Sequence, residues 1–192
     1  MPLLETRGLT RSPWFEGLDL ALNEGEIVCL RGPSGAGKSL LLRSLADLDP
    51  VDSGDVLLED RTRSAFTPQL WRRNVLYVHQ RAIVLPGSVQ ENLTRVGAIG
   101  GIALDPVPGL ESDADAERLS GGEAQRLALH RALALNPKVL LLDEITGAMD
   151  LELAGTWEAR IRKHVDQGNA ALWVTHDDAL VERLGAREVR PW

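Results

Sequence analysis

The chain has 192 residues, of which 44% are hydrophobic and 26% charged, with a formal net charge of -7. That composition predicts one soluble globular domain with a substantial core and room for a small appendage, and it argues against disorder. With 21 Lys and Arg against 28 Asp and Glu, the composition does not obviously supply the basic face that a phosphate backbone demands; a local basic patch stays open, and no nucleic-acid partner is expected.

The opening stretch, Met1-Pro2-Leu3-Leu4-Glu5-Thr6-Arg7, lacks a charged start followed by an apolar signal core. No apolar run approaches the roughly 20 residues that cross a bilayer, the longest candidate being the glycine-rich stretch 96–104. For work at a membrane, another chain is expected to supply the span. The single cysteine, Cys29, cannot form an internal disulfide and falls in a predicted strand, which makes it a buried structural thiol.

Residues 3–7 and 18–22 read as an antiparallel pair, with Asn23-Glu24-Gly25-Glu26 as the turn into a buried strand at 27–30. Trp14 and Phe15 precede the second strand. In a nucleotide-binding domain one of them is placed to stack on the base; the plain alternative is that both pack on the sheet. Next comes Gly32-Pro33-Ser34-Gly35-Ala36-Gly37-Lys38-Ser39, a complete G-x-x-x-x-G-K-[ST] phosphate loop between that strand and an apolar helix at 40–46. Its glycines let backbone N–H groups curl around phosphate oxygens, Lys38 reaches the outer phosphates, and the Ser39 hydroxyl suits magnesium. The helix that follows points its positive end at the anion.

Residues 52–55 carry turn chemistry, 56–58 a short strand, and Thr67-Pro68 the start of a brief helix through 73. A buried strand at 75–79 delivers Gln80 to its end, where it can touch a metal or water. The pattern weakens over 81–118: a helix fits 88–93, and 96–113 has no firm periodicity, which suggests a small, mostly helical inserted subdomain. Order returns at Leu119-Ser120-Gly121-Gly122-Glu123, a turn feeding a helix with Ala124, Leu127, Ala128, Ala132 and Leu135 at helical spacing. The strand 139–142 then runs into Asp143-Glu144, adjacent acids whose burial a magnesium ion would offset. A helix at 151–167 has the core stripe Ala154, Trp157, Ile161 and Val165, and a strand at 170–175 carries His176 at its end.

Strands alternating with helices predict an α/β fold: a mainly parallel central sheet, an N-terminal antiparallel β portion and a small helical subdomain. A parallel sheet gathers its strand ends at one edge, so the phosphate loop, Gln80, Asp143-Glu144 and His176 converge where a nucleotide would sit.

This ordered set resembles the ATP-binding cassette (ABC) ATPases, a class of P-loop NTPases, over essentially the whole chain. Leu119-Ser120-Gly121-Gly122-Glu123 is similar to the ABC signature motif and is the most diagnostic piece. The resemblance implies a single ABC ATPase domain over 1–192, with a nucleotide-binding core at 1–80 and 119–192 and a reduced helical subdomain at 81–118. It implies ATP and Mg2+ as ligands, with Lys38 and the loop amides on the β and γ phosphates and Ser39, Gln80 and Asp143 at the metal. Glu144 would polarise the attacking water, Gln80 would sense metal and water, and His176 would contact the γ-phosphate.

The resemblance also implies that Ser120, Gly121 and Gly122 reach the γ-phosphate held by a second copy, in a head-to-tail homodimer around two ATP molecules. Gly147-Ala148-Met149-Asp150 resembles the segment between the two sites, with Gly147 where a serine is usual and Met149 where a leucine is usual. Long coiled-coil or zinc-binding insertions and a second cassette are not seen, which favours a transporter subunit. The stretches 137–146 and 171–177 are similar to the Fet-type (YbbL-like) iron export ATPases. Such a subunit would be cytoplasmic, peripheral on the inner face of the membrane through a separate permease, and would drive export of a metal ion such as iron. The alternative is a soluble ABC ATPase serving as a mechanical or assembly switch, for example in iron-sulfur cluster assembly. The apolar segment Ile83-Val84-Leu85-Pro86 is either the permease contact or packing within the subdomain.

Overall fold

The computed structural model describes residues 1–147 and 149–191. β1 (Pro2–Arg11) and β2 (Phe15–Asn23) pair antiparallel, with Leu4 opposite Leu22 and Thr6 opposite Leu20, so their inward side chains share one face. β3 (Ile27–Leu30) enters the interior, and α1 (Lys38–Leu45) follows the phosphate loop. β4 (Ser53–Leu58) returns to the free edge of β1 and pairs with the two-residue β5 (Arg61–Thr62), giving the antiparallel order β2-β1-β4-β5.

α2 (Pro68–Asn74) begins as its sequence predicts, with Pro68 in the first turn and the Thr67 side chain accepting from the Leu70 N–H at 3.3 Å. β6 (Val75–Val78), α3 (Val89–Gly100), α4 (Gly121–Ala134), β7 (Val139–Asp143), α5 (Leu151–Val165), β8 (Ala170–Val174), α6 (Asp178–Leu184) and β9 (Arg187–Val189) complete the chain. The second sheet has the order β6-β7-β8-β3-β9, with every pairing parallel. This is the α/β architecture the alternation predicts.

Strands covered on both faces must be apolar throughout, and β3, β7 and β8 are buried at every position. Their pleat splits the interior in two. Val28, Leu30, Leu141, Leu172 and Val174 face a core shared with the antiparallel sheet, α1 and Trp71. Ile27, Cys29, Leu140, Leu142 and Trp173 face a core built by α4, α5 and α6 around Trp157. The Cys29 thiol belongs to this second core, and burial pushes its pKa up to about 11, as a structural thiol requires.

Between β6 and α4, a third cluster forms from Val89 and Leu93 of α3, Val107, Ala116 and Leu127, with Val84 and Leu104 packed against it. Here the structure departs from the sequence reading: α3 continues to Gly100, through a stretch that looked structureless. Its glycines are packing residues, since a Cβ on Gly97 would lie 2.5 Å from the Ile102 carbonyl oxygen of the returning chain. α4 likewise buries more than one stripe. Gln125, Leu129 and His130 are buried with Leu127 and Ala132, while Ala124, Ala128 and Leu135 are only half-buried, because α4 is wedged between the sheet core and the third cluster. No helix among the described residues is long and apolar enough to cross a membrane.

Candidate nucleotide and hydrolysis site

α1 starts at Lys38 behind Gly37, whose φ of +91° and whose space both demand glycine: a Cβ there would lie 3.1 Å from Cβ of Trp14. The first turn of α1 carries no acidic residue, so no carboxylate competes for its amide hydrogens. The Lys38 side chain is folded back onto the loop, with Nζ donating to the carbonyls of Gly32 (2.9 Å) and Pro33 (2.8 Å). An ammonium has three hydrogens, so one is left for a ligand oxygen. A cavity of about 490 Å³ opens over the loop, lined by Arg11, Trp14, Ser34, Gly35, Gly37, Lys38, Ser39, Leu40, Gln80 and Glu144.

The two aromatic candidates for the base separate. Trp14 is 45% exposed and lines this cavity beside Gly37. Phe15 is 6% exposed and packs in the core under the antiparallel sheet, so its expected ligand role is withdrawn. Neighbouring residues entering a strand point to opposite faces, and Phe15 takes the inner one.

Three strand ends deliver the acids and their partners. Asp143, the last residue of β7, is 3% exposed, and its Oδ2 accepts from the Tyr77 hydroxyl of β6 at 2.7 Å. Burial and that carboxylate both push the Tyr77 phenol above its ordinary 10.0, so it stays a donor. Glu144 leaves the strand with φ +47°, a left-handed conformation costing on the order of 1 kcal/mol in a non-glycine residue. Its N–H donates to the Val174 carbonyl (3.1 Å), and its own carbonyl accepts from Gly147 (3.3 Å), which together hold that bend. The carboxylate is then bracketed: Gln80 Nε2 donates to Oε2 at 2.8 Å, and His176 Nε2 lies 3.2 Å from Oε1.

Gln80, Glu144 and His176 are thus brought together, and the cavity over the phosphate loop is lined by the first two with Lys38 and Ser39. Ser120, Gly121 and Gly122 do not line it. They open α4 in a capping box, in which Ser120 Oγ accepts from the Glu123 N–H (3.4 Å) and Glu123 Oε2 accepts from the Ser120 N–H (2.9 Å). That hydrogen bonding lowers the Glu123 pKa. Asp150 caps α5 by accepting from the Leu153 N–H at 2.8 Å; Ala148 of the same segment lies outside the described residues. A Cβ on Gly147 would meet the Glu144 carbonyl oxygen at 3.6 Å, an ordinary contact, so this glycine is not dictated by space. Two residues bonded to these strand ends escaped the sequence reading. Tyr77 looked like one more apolar strand residue, and Gln125, which donates to the His79 carbonyl at 3.1 Å, lies outside the apolar spacing read for that helix.

A magnesium ion fits this donor set only with help from its nucleotide. Among the described residues no three His, Cys, Asp or Glu cluster to hold a metal by themselves. Ser39 lines the phosphate-loop cavity and Asp143, buried at the end of β7, does not; one hydroxyl and one carboxylate are the kind of donors Mg2+ takes when phosphates and water supply the other oxygens.

Residues 15–147 match the family model described as ABC transporter. The chain is 37% identical over 175 residues to the "Probable iron export ATP-binding protein FetA" of Escherichia coli (strain K12), covering 85% of this chain and 78% of that protein. It is 39% identical over 187 residues to the "Spermidine/putrescine import ATP-binding protein PotA" of Frankia alni, covering 90% of this chain but 40% of that protein. A solved dimeric, post-hydrolysis ATP-binding cassette bound to ADP and Pi superimposes with a TM-score of 0.82 at 24% identity, over 97% of this chain and 93% of that one, and so shares the fold. A complete phosphate loop, acids at the end of a parallel strand of the same sheet and a signature turn are matched by a family model spanning more than half the sequence: the chain belongs to the ABC transporter family, as one of its ATP-binding, ATP-hydrolysing subunits.

Proposed function

We propose that this ATPase works as a pair of copies closed around two Mg-ATP molecules and drives a separate membrane permease, with export of a metal ion such as iron as its task. The observation that carries the hydrolytic part is the bracketing of Glu144 between Gln80 and His176 at the rim of the phosphate-loop cavity. The metal cargo is supported by the similarity to FetA over 78% of that protein.

In this reading the loop amides and Lys38 hold the β and γ phosphates, and Trp14 covers the base. Ser39 and Asp143 would hold Mg2+ and Gln80 would sense it; the ion would neutralise charge building up on the phosphate oxygens. Glu144 accepts a proton from the attacking water as its oxygen bonds to the γ-phosphorus and the bond to the ADP oxygen breaks. His176 exchanges its contact with Glu144 for one with the γ-phosphate. Ser120, Gly121 and Gly122 lie outside the cavity of their own chain, so they complete the site of the other copy, meeting its γ-phosphate with the start of α4.

The permease contact falls beside Gln80. A groove of about 240 Å³, lined by Leu76, Tyr77, His79, Ile83, Val96, Ala128, Arg131 and Leu135 among others, runs between β6, α3 and α4. Of the apolar segment 83–86, Val84 packs inward and Ile83 stays 54% exposed at the groove. Tyr77 lines the groove and also grips Asp143, so a helix seated there would press on the acid's partner. Affinity purification of the tagged chain from native membranes in mild detergent tests the proposal. A stoichiometric multi-spanning membrane protein is expected, and recovery with soluble partners only would contradict it.

A further inference from the structure

We propose that Arg31 is a positioning residue for His176, tying that histidine to the strand that carries the phosphate loop. This inference rests on the reading of His176 as the group that meets the γ-phosphate. Arg31 sits between the end of β3 and the first glycine of the loop, and its N–H donates to the Val189 carbonyl of β9 at 2.9 Å. Its side chain does not follow the loop. It crosses to the turn after β8, where Nη1 lies 2.5 Å from Asp178 Oδ1 and Nη2 donates to the His176 backbone carbonyl at 3.5 Å. Glu188 Oε2 lies 3.6 Å from the same Nη1.

The Arg31 side chain is only 14% exposed, whereas Asp178 is 85% exposed, so a planar, largely buried fork grips an otherwise solvent-facing turn. From the far side, Arg183 of α6 pairs with both oxygens of buried Glu158 (2.8 and 3.0 Å) and reaches Asp177 Oδ2 at 3.4 Å. Thr175 Oγ1 accepts from the Asp177 N–H at 3.0 Å. The backbone on either side of His176 is therefore clamped, while its ring remains 55% exposed with Nε2 at Glu144. A histidine that must exchange Glu144 for a phosphate needs a fixed pivot and a movable ring. Arg31 supplies that pivot from the segment that sets the phosphate position, so loop and histidine keep one register.

The test is steady-state ATP hydrolysis by the purified full chain carrying Arg31→Met, which keeps the buried stem, and Asp178→Asn, which changes an exposed group and leaves the core intact. Arg31→Met is expected to lower kcat about fivefold to tenfold with KM for ATP within about twofold, and Asp178→Asn to lower kcat about twofold to threefold. Both effects should vanish in a His176→Ala background, because residues acting through one another are not additive. If His176→Ala turns over at the parent rate, the reading of His176 fails. If His176→Ala is impaired but Arg31→Met and Asp178→Asn are not, the positioning role alone is overturned. Equal losses with and without His176, or a rise in KM matching the fall in kcat, would also overturn it by placing Arg31 with the loop rather than the histidine.

Discussion

The Tyr77 hydroxyl donates to Oδ2 of Asp143 at 2.7 Å, so a side chain of β6 fixes the acid at the end of β7. At 3% exposure Asp143 needs that partner, and the bond occupies only one of its two oxygens. Tyr77→Phe removes the donor at almost unchanged volume. The Mg2+ concentration giving half-maximal hydrolysis should rise about tenfold, the usual size for losing a group that orients a metal ligand. A denaturant midpoint on the same variant should fall only slightly, on the order of 1 kcal/mol. An unchanged Mg2+ requirement would reduce Tyr77 to a packing residue.

Trp14 and Phe15 are neighbours with opposite assignments. Trp14→Ala should raise KM for ATP roughly tenfold, the loss of one stacking face, and leave the melting temperature nearly unchanged. Phe15→Ala should do the reverse, costing about 3–5 kcal/mol of stability from the core with KM little altered. Equal effects on KM from both substitutions would contradict the placement of Trp14 at the base.

Acid should weaken the fold through its histidines. Burial holds the imidazoles of His79, His130 and His164 below their ordinary value of 6.5. At His130 burial is the main cause, and Arg160, whose Nη2 can only donate and lies 3.2 Å from Nδ1, adds to it; the Asp105 carbonyl, 2.8 Å from Nε2, works the other way by favouring the charged ring. The unfolded chain then binds more protons than the folded one below pH 6.5, so stability is full above that value and falls as pH drops through it. Urea midpoints between pH about 8 and about 5 should show this loss, and His130→Gln should flatten it. A midpoint constant across that range would contradict the assignment.

Much of this arrangement is legible in the residues because it follows from period and spacing. The continuous apolar runs of β3, β7 and β8 announce strands covered on both faces, and each ends in a polar group that the parallel sheet gathers at one edge. The stripe Ala154, Trp157, Ile161 and Val165 is buried as its spacing predicts. What escaped depends on how the folded chain packs, near in sequence or far. Gly97 reads as a breaker until the chain at Ile102 is seen returning against it. Tyr77 reads as apolar filling until Asp143, 66 residues away, is seen to accept its hydrogen bond. Phe15 and Trp14 are indistinguishable until the pleat assigns their faces. α6 and β9 went unread, being 7 and 3 residues long and lying after the last recognisable motif. Spacing alone gives Ser120-Gly121-Gly122 nothing but a helix cap; only the likeness to ABC proteins gives it a ligand, which the proposed pairing puts on another copy.

The composite site is therefore the central claim, and Glu144→Gln tests it most directly. The substitution keeps shape and a hydrogen-bonding side chain between Gln80 and His176 but cannot take a proton from water. Light scattering of this variant with and without Mg-ATP, alongside its hydrolysis rate, is the decisive measurement. The account predicts that hydrolysis falls by at least about a hundredfold and that ATP converts the monomer into a dimer that persists. Turnover near the parent rate, or a variant that stays monomeric in saturating Mg-ATP, would contradict it.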